Sequence, residues 1–245
     1  EIIGKKFSDY RKVWDRANNF EIVTDFPLFL HLDMNQECNY KCPFCIIATP
    51  SEVADYYDGK YLNFEDFKKI IDEGAEYNCP SLSPQGNNEP FLIKNLHEYI
   101  LYAHRKGFID IMLNNNGSVL TKKRAEQILD SGLTRLRFSL DALTPETYSK
   151  VRVGSIKLER VVKNIETFLE LRSKGNYKLP LVGVSFVKMK QNEHELENFI
   201  NFWKNKVDMI SIQTFTPPTR NIEKYKEFYA TDQLLDSEAI TEFKC

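Results

Sequence analysis

The chain has 245 residues, of which 42% are hydrophobic, enough for one sizeable core and typical of a single α/β domain. Its 33 basic and 35 acidic residues leave a formal net charge of -2, so no strong field would draw it to nucleic acid or to an anionic membrane. No apolar run is long enough to cross a bilayer, and no cleavable apolar segment opens the chain. We expect a soluble, cytoplasmic protein with no nucleic-acid partner.

The first 26 residues are polar and aromatic, and Tyr10 and Trp14 lie four positions apart, as on one face of a helix. We interpret residues 1–26 as an N-terminal helical extension on the surface of the main domain. Residues 27–216 form the predicted core. Residues 217–245 are mostly charged and form a C-terminal extension with a short helix around residues 222–229.

The core alternates apolar runs with amphipathic segments at intervals of about thirty residues. Predicted strands cover residues 28–32, 81–85, 109–113, 135–140, 181–187 and 209–215. Predicted helices cover residues 64–74, 96–106, 122–129, 158–171 and 193–203, and a further helix begins at Pro145. Such alternation implies right-handed crossovers and a parallel sheet. We predict an α/β fold, a partial (β/α)6 barrel with parallel strands, and expect the first strand to be fully buried, with His31 as a core residue.

Three cysteines, Cys38, Cys42 and Cys45, follow the first predicted strand within eight residues. An odd number of thiols cannot form a disulfide framework, and three ligands leave one position of a metal site open. Five cysteines in total, three of them clustered, suit a reducing compartment in which thiolates bind metals. A zinc-binding knuckle is the alternative reading of this spacing.

The Cys-x3-Cys-x2-Cys spacing closely resembles the signature of the radical S-adenosylmethionine (SAM) superfamily. The resemblance implies that Cys38, Cys42 and Cys45 hold a [4Fe-4S] cluster, whose fourth iron binds the amino and carboxylate groups of SAM. It also implies that Phe44, just before the last cysteine, packs near the adenine. An electron donor such as flavodoxin or ferredoxin would reduce the cluster.

Polar motifs after the second and third strands strengthen the resemblance. Gly86-Asn87-Asn88-Glu89-Pro90 resembles the family's Gly-Gly-Glu-Pro stretch, with asparagines in place of its glycines. Asparagine is the residue other than glycine that most readily takes left-handed backbone angles, so this replacement is physically reasonable. The resemblance implies that Asn88 and Glu89 bind the amino group of SAM, and that Asn115, in the turn after the third strand, lies by the ribose. Apart from the family resemblance, the stretch 86–90 and the turn that contains Asn115 are ordinary turns.

The fourth strand ends in Ser139-Leu140-Asp141, and Arg152 follows about a dozen residues later. In the family, the serine and arginine take the carboxylate of SAM and the acidic residue lies by its ribose. A guanidinium pairs well with a carboxylate, often through two hydrogen bonds. Without the family, Asp141 is a turn residue before a capped helix start at Thr144-Pro145.

Two residues near the end of the chain complete the predicted site. Gln213, in the sixth strand, either points into the barrel toward substrate or cofactor or makes a structural hydrogen bond. Cys245 lies where family members of the SPASM and twitch groups place the first ligand of an auxiliary iron-sulfur cluster. Because the sequence opens at Glu1 without a methionine and stops at Cys245, we expect the remaining ligands in residues beyond it.

The resemblance implies that the reduced cluster cleaves SAM to a 5'-deoxyadenosyl radical, which takes a hydrogen atom from a substrate. We expect that substrate to be a sugar or small metabolite. The alternatives are oxidation or epimerisation of a ribosomally made peptide and, in another class, a non-catalytic zinc-binding scaffold.

Overall fold

Six strands form one parallel sheet in the computed structural model, which describes residues 2–48, 60–219 and 222–232. The strands are β1 (Phe29–His31), β2 (Ser81–Ser83), β3 (Asp110–Asn115), β4 (Arg135–Ser139), β5 (Leu181–Lys188) and β6 (Met209–Thr214). Each pairs in parallel with the next along the chain, in the order β1-β2-β3-β4-β5-β6. The predicted α/β fold is confirmed, and the sheet is consistent with a partial barrel.

Helices alternate with the strands, as the sequence predicts. They are α1 (Lys5–Asn18), α2 (Phe64–Glu76), α3 (Leu96–Arg105), α4 (Lys122–Leu129), α5 (Pro145–Val151), α6 (Leu158–Lys174) and α7 (Leu196–Trp203). Side-chain caps fix several starts: Asn63 Oδ1 accepts from the backbone N–H of Asp66 at 2.9 Å, and Thr144 accepts from that of Thr147. A 3-10 turn, Glu193–Glu195, precedes α7, and another covers Ile222–Phe228. None of the helices in the described ranges is long and apolar enough to cross a membrane.

The core lies between the central strands and the helices. Phe138, Val184 and Phe186 are fully buried on β4 and β5. The ring of Phe168 from α6 packs edge-on against Phe138, with 6.3 Å between centroids. This packing fixes β4 directly before Ser139, where one of the polar motifs begins.

The expectation of a fully buried first strand is wrong. Phe29 and Leu30 are half-buried and His31 is exposed, so His31 is no core histidine. β1 is an edge strand that pairs only with β2 in the described sheet, so one of its edges lacks the cover a central strand receives. The apolar run indicates a strand but not its place in the sheet.

Helix α1 lies at the amino-terminal end of the strands, opposite the cysteine loop. Trp14 packs edge-on against Phe29, the first residue of β1, with 6.1 Å between ring centroids. Tyr10 is buried, hydrogen-bonds with Ser81 at the start of β2 and lies close to Asp110 at the start of β3. The predicted helix is therefore present. Its aromatic face packs against the amino-terminal end of the barrel.

Candidate functional site

The loops that follow the first four strands meet at the carboxyl-terminal edge of the sheet. They enclose a cavity of about 250 Å³. Its lining includes Cys38, Tyr40, Cys42, Cys45, Ile47, Gln85, Gly86, Asn87, Asn88, Glu89, Asn114, Asn115, Asn116, Ser139 and Arg152. Ligands bind at this edge of parallel α/β sheets because the loops there converge. Residues predicted from separate motifs therefore share one cavity.

All three predicted cysteine ligands line the cavity as free thiols. The loop turns tightly between them: the backbone N–H of Cys45 donates to the carbonyl of Cys42 at 2.9 Å, and that of Tyr40 donates to Cys38 Sγ at 3.4 Å. Burial raises the pKa of Cys38 to about 11 and also raises that of Cys42. Binding iron would require these thiols to lose their protons.

A cluster and a single metal ion make different demands on the three thiols. Within the described ranges, no three His, Cys, Asp or Glu side chains are arranged to hold one metal ion. A zinc ion needs all its ligands to converge at about 2.3 Å, whereas in a [4Fe-4S] cluster each cysteine binds a different iron. In such a cluster, the three thiols on the wall of this cavity would each bind a separate iron.

Tyr40 anchors the cysteine loop to the segment between α5 and α6. It forms an isolated antiparallel bridge with Gly154, and its hydroxyl donates to the carbonyl of Ile156 at 3.0 Å. The Tyr148 hydroxyl donates to that of Tyr40 at 3.1 Å. Tyr40 is buried, so the loop between Cys38 and Cys42 is held from behind by a rigid ring.

The segment after β2 is braced by its own carboxylate. Glu89 is buried, and its two oxygens accept from the backbone N–H groups of Phe91 at 3.1 Å and Asn116 at 2.7 Å. Burial raises the pKa of Glu89 to about 7, although these N–H groups lower it in part. Asn88 accepts from the backbone N–H of Gly86 and donates to Asn35. Glu89 thus joins the loop after β2 to the loop after β3.

Asn115 is predicted to lie by the ribose. In the structure its side chain makes hydrogen bonds within and beside the turn after β3. Its Oδ1 accepts from the backbone N–H of Gly117 at 2.8 Å, and its Nδ2 donates to the carbonyl of Arg137 at 3.1 Å. Gly117 has a φ of 71°, in the left-handed region that glycine occupies without strain. Asn115 both shapes the turn and lines the cavity.

A small amide and hydroxyl network beside Cys38 was not predicted from the sequence. Asn116 Nδ2 donates to Asn39 Oδ1 at 3.0 Å and lies 4.0 Å from Cys38 Sγ. Asn39 Nδ2 donates in turn to Ser118 Oγ at 2.8 Å. Asn-Gly turns are common, so the run Asn114-Asn115-Asn116-Gly117 carried too little signal to single out Asn116.

Ser139 and Arg152 line the cavity, whereas Asp141 lies beside it. Asp141 is fully buried and forms an ion pair with Arg152, whose Nη1 lies 3.9 Å from Cys42 Sγ. Burial alone would lower the pKa of Arg152, but the Asp141 carboxylate raises it above its ordinary value. The guanidinium is therefore held charged and close to the thiols.

Phe44 and Gln213 meet in a second, surface cavity of about 390 Å³, together with Val187. The Arg152 guanidinium lies 5.6 Å from the centroid of the Phe44 ring, which also packs edge-on against Phe215 and Phe228. Phe44 therefore lies between the two cavities. The predicted auxiliary ligand Cys245 lies outside the described residues.

The residues present fit an anionic ligand next to a cluster. Arg152 Nε is buried and has no hydrogen-bond partner among the described residues, and the same holds for Nδ2 of Asn35, beside Asn88. Buried donors without acceptors are costly unless a ligand satisfies them. The carboxylate of SAM would supply such acceptors.

Comparisons with known proteins identify the relatives of this chain. The model of the family described as "Radical SAM superfamily" matches residues 34–202. The chain is 29% identical over 186 residues to the "Probable GTP 3',8-cyclase" of Methanococcus maripaludis, covering 76% of this chain and 58% of that protein. It is 32% identical over 197 residues to the GTP 3',8-cyclase of Helicobacter pylori J99, covering 78% and 55%. The chain thus spans less than two thirds of the length of either relative.

Among solved structures, Streptococcus suis SuiB bound to S-adenosylmethionine superposes with a TM-score of 0.66 at 18% identity. The match covers 95% of this chain and 51% of SuiB, and at this identity it shows the fold alone. The family match covers well over half of the chain, including all three cysteines and Arg152. The chain therefore belongs to the radical SAM superfamily, whose cofactors are a [4Fe-4S] cluster and S-adenosylmethionine.

Proposed function

We propose that the protein uses its cluster to cleave SAM reductively and abstracts a hydrogen atom from a small metabolite or a sugar-containing compound. The observation that supports this most is that the cysteine loop and the motifs after β2, β3 and β4 line one cavity. When bound, the cluster would supply the electron that the reductive cleavage of SAM requires.

The roles of the side chains follow from their positions. Cys38, Cys42 and Cys45 would hold the cluster. Arg152, held charged by Asp141, would bind the carboxylate of SAM together with Ser139. The protein contributes binding and orientation, because the difficult chemistry belongs to the cofactors.

Asn88 and Asn115 would complete the cofactor site from the loops after β2 and β3. Glu89 already accepts two backbone N–H groups, so its main contribution would be to hold those loops together, with backbone groups left to meet the amino group of SAM. Phe44 stands beside Arg152 in a position to cover the adenine.

The small-molecule side of the proposal draws support from the curated relatives, which are named for a reaction of GTP. GTP is accordingly the first compound to test. A ribosomal peptide is the competing substrate, and an assay that offers both classes separates them.

The test begins with anaerobic reconstitution of the full-length protein, followed by reduction with dithionite in the presence of SAM. We expect about four irons per cluster site and formation of 5'-deoxyadenosine. Cys42→Ser should lose the iron of this one site and the formation of 5'-deoxyadenosine, whereas Cys79→Ser, a buried thiol away from the site, should retain both. A colourless zinc protein that forms no 5'-deoxyadenosine would contradict the proposal.

The substrate is identified by isotope transfer. Deuterated GTP, deuterated sugars and deuterated peptides are incubated separately with the reconstituted protein. Deuterium in 5'-deoxyadenosine marks the compound that loses a hydrogen atom. Label transferred only from peptides would overturn the small-molecule assignment while leaving SAM cleavage intact.

A further inference from the structure

An arginine with no acidic partner lies on the inner face of the sheet, next to the proposed cofactor site. Arg137 is on β4 two positions before Ser139, so the two side chains share a face and are offset by about 6.6 Å along the strand. Its Nε donates to Oδ1 of Asn114, a residue that lines the cysteine cavity, at 2.7 Å. Arg137 thus stands one layer deeper in the barrel than Ser139.

The neighbouring strands leave space for this side chain. Gly183 of β5 is in register with Arg137 and contributes no side chain of its own there, while the Met209 side chain of β6 lies alongside it. The Arg137 guanidinium reaches across it to β6, where Nη1 lies 3.4 Å from Ser211 Oγ. Above this layer, Ser139, Ser185 and Ser211 are in register on three adjacent strands and form a row of small hydroxyl side chains.

The charge of Arg137 is not balanced by the described residues. Asp110 pairs instead with Arg135, accepting from its Nε at 2.8 Å and from its Nη2 at 2.7 Å. Among the described residues no carboxylate pairs with Arg137, and its Nη2 makes no hydrogen bond. Burial and the nearby Arg135 lower the pKa of Arg137, as expected for a cation without a counter-charge.

Burying half of a guanidinium lowers the stability of the fold when no carboxylate pairs with it, because the free energy of desolvation is not offset by an ion pair. Planar guanidinium groups bind phosphate and carboxylate oxygens through paired hydrogen bonds. The adjoining serine row and Asn114 offer further hydrogen-bonding groups without bulk.

We propose that Arg137, assisted by Ser211 and Asn114, binds an oxyanion of the substrate, a phosphate or carboxylate group, inside the barrel beside the SAM site. This inference rests on the proposed function, since it assigns the substrate of the same barrel. It places the anionic end of the substrate one layer below Ser139, so that the rest of the molecule extends toward the cofactor.

The test uses the full-length, cluster-reconstituted protein saturated with SAM, titrated by calorimetry with inorganic phosphate and, separately, with acetate. We expect the wild type to bind at least one of these anions at one site per chain, and the preferred anion tells phosphate from carboxylate. Arg137→Gln should weaken that binding at least tenfold, and Arg137→Lys should retain part of it. Arg160→Gln, an exposed change on α6, is the matched control.

Three further readouts make the result decisive. SAM affinity and SAM cleavage without substrate should be unchanged in Arg137→Gln, and its melting temperature should show that it is folded. Equal anion binding by the wild type and Arg137→Gln, or no binding by the wild type, would overturn the inference. Weakened SAM binding in Arg137→Gln would also overturn it, since Arg137 would then serve the cofactor. Failure of the wild type to cleave SAM would count against the proposed function. The anion titration would still decide whether Arg137 binds an oxyanion.

Discussion

Asp141, which is fully buried, forms an ion pair with Arg152, whose side chain is 13% exposed and also contacts Cys42. Asp141 has a φ of 58° and uses Oδ1 to accept from the backbone N–H of Val187 at 2.8 Å. The carboxylate therefore fixes the end of β4 and the guanidinium at once. Sequence resemblance singled out both residues, but only the fold shows that they pair.

Asp141→Asn is expected to destabilise the protein by about 3 kcal/mol, because it leaves the mostly buried Arg152 without a counter-charge. Asparagine tolerates left-handed backbone angles and can still accept from Val187, so the loss is mainly electrostatic. Denaturant unfolding measures the stability, and SAM affinity should fall with it. Glu146→Gln, which breaks an exposed pair with Lys150, should leave both unchanged. An unchanged unfolding midpoint for Asp141→Asn would show that the pair is dispensable.

At the scale of elements, the cysteine loop depends on the segment between α5 and α6. Besides the Tyr40–Gly154 bridge, the backbone N–H of Lys41 donates to the carbonyl of Val153 at 2.7 Å. A Cβ atom on Gly154 would lie 2.2 Å from Cδ1 of the Tyr40 ring, far inside contact distance. Glycine is required there by close packing, since its backbone angles are not left-handed.

Gly154→Ala should displace Tyr40 and with it the loop between Cys38 and Cys42. We expect a loss of about 1–3 kcal/mol in stability and lower iron content after reconstitution. Combining it with Tyr40→Ala removes the ring that clashes, so the two changes should be strongly non-additive. Iron analysis and thermal unfolding of the two single variants and the double variant measure this. Additive losses would mean that the close contact does not govern the loop.

At the scale of the whole molecule, the cofactor cavity and the packing of α1 lie at opposite ends of the barrel. The carboxyl-terminal end carries the cysteine cavity, and α1 packs on the amino-terminal end through Tyr10 and Trp14. Substitutions at the amino-terminal end should therefore lower stability without changing cofactor binding.

Tyr10→Ala should lower the free energy of unfolding by about 3 kcal/mol, because it removes a buried ring beside Ser81 and the start of the sheet. Iron content and SAM affinity of the folded fraction should not change, since Tyr10 lies at the opposite end from the cavity. Val23→Ala, at a side chain that is 99% exposed, is the control and should change nothing. Loss of SAM affinity at full folding would contradict this division.

Much of the chain could be predicted from its pattern. Apolar runs and capping residues indicate each strand and helix, because local hydrophobic period and helix caps act over a few residues. The cysteine spacing and the Ser139-Leu140-Asp141 motif are likewise local signals, and they pointed to the cofactors. The hydrophobic pattern does not indicate which strand lies at the edge of the sheet. The prediction that His31 is buried is therefore wrong.

The sequence by itself determined the order of the elements, the superfamily and the three thiols proposed to hold the cluster, since each is encoded in short stretches of the chain. Only the tertiary structure decided that Asp141 pairs with Arg152, that Tyr40 packs on Gly154 and that Arg137 has no acid beside it. These relations join residues far apart in the chain or in different strands. They arise when parallel strands bring their ends and inner faces together, where burial makes each charge depend on its neighbours.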